Sequence, residues 1–150
     1  MDDLCRQREA ICREALTWLK TPYHHLACIR GVGVDCGRFI EGVAKALGLI
    51  DPSWKPAAYS PEHHWHRREE VYRNYFMVLG CPVVPWEERA PGVIMTFRVG
   101  HVVAHSGIYM PGNQLIHAVS GMGVHMHILP DNWGVRHDLC YDFPPRQEDA

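Results

Sequence analysis

Apolar and polar positions change rhythm part-way along the chain. Over residues 3–20, DLCRQREAICREALTWLK, the positions Leu4, Cys12, Ala15, Leu16 and Leu19 recur at near-helical spacing. This predicts an amphipathic helix closed by Thr21-Pro22. Cys5 and Cys12, two turns apart on one face, read as small core residues. After the loop TPYHHLACIRGVGVD comes CGRFIEGVAKALG, where Phe39, Ile40, Val43 and Leu47 make one apolar stripe and Gly48 supplies a stop. The Pro- and aromatic-rich stretch DPSWKPAAYSPEHHWH reads as a surface loop, and a further helix is predicted near REEVYRNYFMVLG.

From residue 92 the period drops to two. GVIMTFRV, VVAHSGIYM, QLIHAV and GVHMHIL are short runs rich in β-branched residues, parted by turns such as PGN at 111–113. They predict an antiparallel meander. Helices first and strands second predict an α+β fold, with N-terminal helices packed on one side of a small antiparallel sheet. One domain is expected over 1–150, since a chain of 150 residues, 47% hydrophobic, buries roughly 70% of its unfolded surface. The tail FPPRQEDA, polar from about residue 144, is expected to fray.

Charge narrows the range of partners. With 15 Lys+Arg against 17 Asp+Glu, the net charge of -2 gives no footprint for nucleic acid, and no basic run suggests a membrane surface. The start MDDLCRQREA has neither the charged nor the apolar region of a signal peptide, so synthesis as a cytoplasmic chain is expected. Six cysteines include no CxxC pair, which favours reduced thiols over a disulfide framework.

One cysteine stands apart. In GVGVDCGRFI, Cys36 falls where a glycine-rich turn hands over to a helix, and the positive end of a helix dipole favours a thiolate there. Among the 11 histidines, His105 in AHSGIYM and His117 in QLIHA lie on consecutive strands across the PGN turn. As cross-strand neighbours, one would take a proton from a nucleophile while the other fixes its tautomer. With Cys36 this is the logic of a thiol hydrolase. HHWH at 63–66 lacks regular ligand geometry and reads as capping or surface packing, so no metal and no cofactor are expected. His125 and His127 alternate on one strand face, either as a ligand pair or, the better reading, as the edge of a cleft or a solvated face. His24 and His25 border whatever site the first loop forms, while His101 and His137 carry no interpretable signal.

The stretches WLKTPYHH, GVGVDCGRFI, SPEHHWHR, PGVIMTFRVG, AHSGIYM and LIHA, taken in order, resemble the NlpC/P60 family of cell-wall cysteine peptidases, in its phage-type branch. The resemblance covers Thr17 to Ala118. It implies a papain-like α+β fold and hydrolysis of peptidoglycan stem peptides, usually between D-γ-glutamyl and a diamino acid. It implies Cys36 as nucleophile, His105 as base, His117 as orienting residue and Tyr23 as an oxyanion donor. Asp35 would hold a substrate amine, and His24, from its place in the first loop beside Tyr23, would border that site. Partners would be peptidoglycan peptides and other phage tail proteins, with delivery by a tail or by lysis. Arg38 departs from the small residue usual at that position, and reads as a solvent-exposed cation, a cleft-blocking group or a binder of a substrate carboxylate. Two other functions stay open: a tail assembly module that has lost efficient catalysis, and a thiol amidase or acyltransferase acting on another amide.

Overall fold

The computed structural model describes residues 2–55, 76, 78–99 and 102–146. Residues 56–66 of the predicted loop, with HHWH, and most of the predicted helix after it lie outside these residues, as does His101.

Helix α1 runs over Asp3–Leu16 and starts at the Asp2 cap, whose side chain accepts from the Cys5 N–H. It stops four residues short of the predicted end. The chain then turns over Thr17–Lys20, and the Lys20 N–H donates to the Val124 carbonyl. The buried stripe of α1 is narrower than its pattern suggests, consisting of Ile11 and Ala15 with Trp18 just beyond. Cys5 is exposed and Cys12 only partly buried, which corrects Cys5 as a core residue. Leu4, Leu16 and Leu19 are also exposed, because α1 meets the rest of the fold along a single edge.

A two-stranded ribbon, β1 (Cys28–Ile29) and β2 (Gly33–Val34), leads into helix α2 (Cys36–Ala46). The Asp35 side chain caps α2 by accepting from the Arg38 N–H. At the other end Gly48 adopts φ +70. Its N–H donates to Lys45 and that of Leu49 to Ala44, closing the helix as the glycine predicted. α2 is buried along most of its length, with Phe39, Ile40, Val43 and Ala44 fully enclosed. At Gly42 a side chain would collide with Trp18, so this glycine lets α1's continuation lie against α2.

The main sheet has six strands in the order β3 (Val83–Val84), β8 (His137–Tyr141), β4 (Ile94–Val99), β5 (Val102–Met110), β6 (Gln114–Val119) and β7 (Gly123–Ile128). β4 to β7 form the predicted antiparallel meander, and β8 returns to pair with β4. α2 packs on one face over Ile108, Ile116 and Val124. A second apolar cluster, Val93, Met95, Phe97, Leu115 and Cys140, is covered by Trp86 and Trp133, each on a short 3-10 turn. The fold is α+β. Among the described residues no helix is long and apolar enough to cross a membrane.

The tail is docked over its described part, contrary to the expected fraying. Asp142 takes a two-pronged bond from Arg8 at 2.9 and 3.0 Å, Phe143 is buried, Gln7 donates to the Pro144 carbonyl, and Arg146 donates to the Leu47 carbonyl. A polar composition does not reveal such long-range partners.

Candidate functional site

Cys36 is the first residue of α2 and is 8% exposed. Its carbonyl accepts from Ser106 Oγ at 3.3 Å, so the start of α2 is tied to the residue next to His105. Tyr23 is fixed nearby by backbone pairing with Val34, where the His24 N–H donates to the Val34 carbonyl and the Val34 N–H to the Pro22 carbonyl. Burial, then the charges at Cys36 and Asp35, push the Tyr23 phenol far above its ordinary value. The hydroxyl is therefore held as a proton donor. His24 is exposed, its ring lying against Gly33.

Asp35 joins the first loop to the start of α2. Its carboxylate is buried, with one oxygen accepting from the Arg38 N–H at 2.8 Å and the other from the Leu26 N–H at 2.7 Å. His25 Nδ1 lies 3.7 Å from that second oxygen. Leu26 sits at φ +62, so the bond to Asp35 holds an unfavourable loop backbone in place. The carboxylate is a helix cap and loop anchor. Arg38 is not a solvent cation, because its side chain is 16% exposed and pairs with Glu41 at 3.2 Å. The Glu41 carboxylate, 1% exposed, also takes the Lys45 ammonium at 2.8 Å. A buried carboxylate at i+3 explains the long cation where the resemblance has a small residue.

His105 and His117 meet, with His105 Nε2 2.6 Å from His117 Nδ1. They are diagonal neighbours, not directly opposed. The pairing of Ile108 with Ile116 continues to put Gly107 level with His117, and His105 lies two residues further along the same face. Gly107 makes the diagonal reach available. A Cβ there would stand 3.0 Å from the His117 Cβ and 3.0 Å from the Ile116 carbonyl.

The row of histidines continues past the pair. His117 Nε2 lies 2.9 Å from His127 Nε2, and His127 Nδ1 lies 2.9 Å from the Ile128 carbonyl. A carbonyl only accepts, so His127 carries its proton on Nδ1. Its Nε2 then accepts from His117 Nε2–H, which leaves His117 Nδ1 to accept from His105 Nε2–H. His105 Nδ1 is thereby left as an unprotonated base. One backbone carbonyl thus sets the tautomers of three rings.

Burial, then His125 and His127, push His105 down to about 4. Burial, then His105, His125 and His127, push His117 down to about 2. Both rings are neutral at pH 7. Trp133 covers the row, its ring 5.8 Å from that of His117 and 5.5 Å from that of His127.

No protein-family model matches the sequence, and no curated protein matches it. Solved structures do match. The NlpC/p60 domain of the peptidoglycan hydrolase SagA is similar at 20% identity and a TM-score of 0.62, over 91% of this chain and 98% of that one. An NlpC/P60 family protein from Bacillus cereus is similar at 17% identity and a TM-score of 0.67, over 92% of this chain and 40% of that one. NlpC1 from Trichomonas vaginalis is similar at 18% identity and a TM-score of 0.62, over 95% of this chain and 45% of that one. The chain has the NlpC/P60 fold.

Within that fold, two features lay beyond the pattern reading. His127 belongs to the histidine row through a backbone carbonyl, and Trp133 comes from a short 3-10 turn with no periodic signal. The alternation of His125 and His127 is legible in GVHMHIL, but not their meeting with His117.

Burial and helix position distinguish the thiols. Burial pushes Cys28 and Cys140 up to about 11 and Cys81 up to about 12. Cys12 is raised by burial, and Cys5 by its hydrogen bond to Asp2. Cys36 stands at the start of a helix, where thiolates are favoured. Limiting iodoacetamide followed by peptide mapping should label Cys36 first; earlier labelling of the exposed Cys5 would mean that access outweighs activation.

Proposed function

We propose that the chain is a cysteine peptidase acting on peptidoglycan stem peptides, with Cys36 as nucleophile and His105 as base. The observation that carries this is the bond from His105 Nε2–H to His117 Nδ1, which leaves His105 Nδ1 as a base beside the residue anchored to Cys36. In the attack, Sγ bonds to the scissile carbonyl carbon as its proton passes to His105. The Tyr23 hydroxyl and the Cys36 N–H stabilise the oxyanion. Collapse expels the amine, which takes the proton from His105 and leaves a thioester. A water molecule, deprotonated by His105, then hydrolyses the thioester.

The substrate class is supported by the fold shared with SagA, a peptidoglycan hydrolase, and by the ordered motifs of the sequence. Cleavage between D-γ-glutamyl and a diamino acid, and delivery by a phage tail or by lysis, rest on the motif resemblance. Because Arg38 lies on Glu41, it gives no support to a degenerate tail module with a blocked cleft. The test is incubation with purified muropeptides and mass analysis of the products. The wild type should cleave them with or without EDTA, and Cys36→Ala should not. Equal cleavage by Cys36→Ala, or loss of cleavage in EDTA, would refute the thiol mechanism.

A further inference from the structure

We propose that His117, His125 and His127 form a binding site for a zinc-class divalent metal ion, and that its occupation switches the His105 base off. The site stands on geometry alone; the switch rests on the peptidase reading above.

β6 and β7 pair with His117 opposite His125 and Leu115 opposite His127, so the three imidazoles share one sheet face as two direct neighbours and a diagonal one. One ligand nitrogen from each lies within 4.8 Å of the others. The nearest two, on His117 and His127, are 2.9 Å apart. Tetrahedral zinc with Zn–N bonds of about 2.05 Å needs nitrogens about 3.3 Å apart. The closest pair must open slightly and the others close by an amount that side-chain rotation provides.

The outer partners are those of a metal centre. His127 Nδ1 faces the Ile128 carbonyl at 2.9 Å and His125 Nδ1 faces the Gly123 carbonyl at 3.4 Å, which turns both Nε2 lone pairs toward the cluster. His117 Nδ1 is engaged by His105. Trp133 supplies an apolar cover, while the partial exposure of His125 and His127 on the terminal strand of the sheet leaves an entry path. Three protein nitrogens leave the fourth tetrahedral position for water or an external ligand.

The consequence follows from counting protons. Without metal they sit on His127 Nδ1, His117 Nε2 and His105 Nε2. Metal takes the lone pairs of His127 Nε2 and His117 Nε2, so the His117 proton must reside on Nδ1. That Nδ1–H points at His105 Nε2, which must now accept, and the His105 proton moves to its Nδ1. Three protons remain on three rings, so none is gained or lost. The base has become a donor, and it can no longer take the thiol proton.

The test uses the full chain. One equivalent of Co2+ should give the visible absorption of a tetrahedral nitrogen-ligated ion, and calorimetry should give one Zn2+ per chain. His125→Gln and His127→Gln should each weaken Zn2+ by at least the roughly 10–100-fold that loss of an outer partner alone costs, while Cys36→Ala should leave affinity unchanged. Two-bond 15N–1H spectra of the imidazoles, which also report whether each variant is folded, should show the His105 proton move from Nε2 to Nδ1 on zinc binding. No uptake, or uptake unaffected by His125→Gln and His127→Gln, would overturn the site. Uptake with the His105 tautomer unchanged would overturn the switch. None of these readouts needs a substrate, so absence of muropeptide cleavage by metal-free protein would count against the peptidase reading and leave the metal site standing.

Discussion

His105→Ala should lower turnover on a stem peptide by roughly 10²–10⁴-fold, the usual contribution of a positioned general base. His117→Gln should cost much less. A glutamine carbonyl at that position accepts from His105 Nε2–H as His117 Nδ1 does, so His105 keeps its proton on Nε2 and its lone pair on Nδ1. His117→Leu offers no acceptor, frees His105 to take either tautomer, and should approach the loss of His105→Ala. The ordering of kcat, with Gln well above Leu, separates an orienting role from mere packing, because leucine fills the space as well. Comparable losses in folded His117→Gln and His117→Leu would contradict a tautomer-setting role.

The sequence exposes those parts of this arrangement that are written locally. β5, β6 and β7 follow from period-two runs with a turn between them, and their residues keep the predicted bounds almost unchanged. The start of α2 follows from a glycine-rich turn that hands over to an apolar stripe, whereas the cap that fixes it, the Asp35 side chain on the Arg38 N–H, is seen only in the structure. The resemblance gives Asp35 a substrate amine, and the structure shows its two oxygens on the Arg38 and Leu26 N–H groups.

Strand β8 is different. HDLCY is five residues led by polar ones, and it becomes a strand only because β3 and β4 offer it unpaired edges from 40 to 58 positions away. The His117–His127 contact is a diagonal across two strands, so it depends on a register that a one-residue slip would erase. Cys5 misleads for the opposite reason. Its helical spacing is real, but amphipathicity does not say how wide a face the neighbours will cover.

Stability should begin to fall at a pH well above that at which the carboxylates protonate. His105 and His137 are each held at about 4, mainly by burial, and His117 at about 2. In an unfolded chain each titrates near 6.5. Between those values the unfolded state binds more protons, so stability is fully present above about pH 6.5 and falls as pH drops toward 4.

A histidine held at 4 loses about 3 kcal/mol of its contribution by pH 4. His105 and His117 share one hydrogen bond and count once, and His137 is a second, separate unit. The two together approach the whole stability of a typical domain, about 5–15 kcal/mol. The groups facing the pair are His125 and His127, which oppose any added proton. Those facing His137 are Asp138, which favours protonation, and Arg89, which opposes it.

His137→Phe separates the two units. The His137 ring packs on Trp86 with centroids 3.9 Å apart, and among the described residues its Nδ1 has no hydrogen-bond partner. Phenylalanine keeps the ring contact and removes both the orphan nitrogen and its proton. Urea unfolding from pH 7 to pH 4 should show a falling midpoint in the wild type and a shallower fall in His137→Phe. A midpoint that stays level in the wild type would mean that these rings admit protons without unfolding. A variant that follows the wild type at every pH would remove His137 from the account and leave the acid response to the His105–His117 pair.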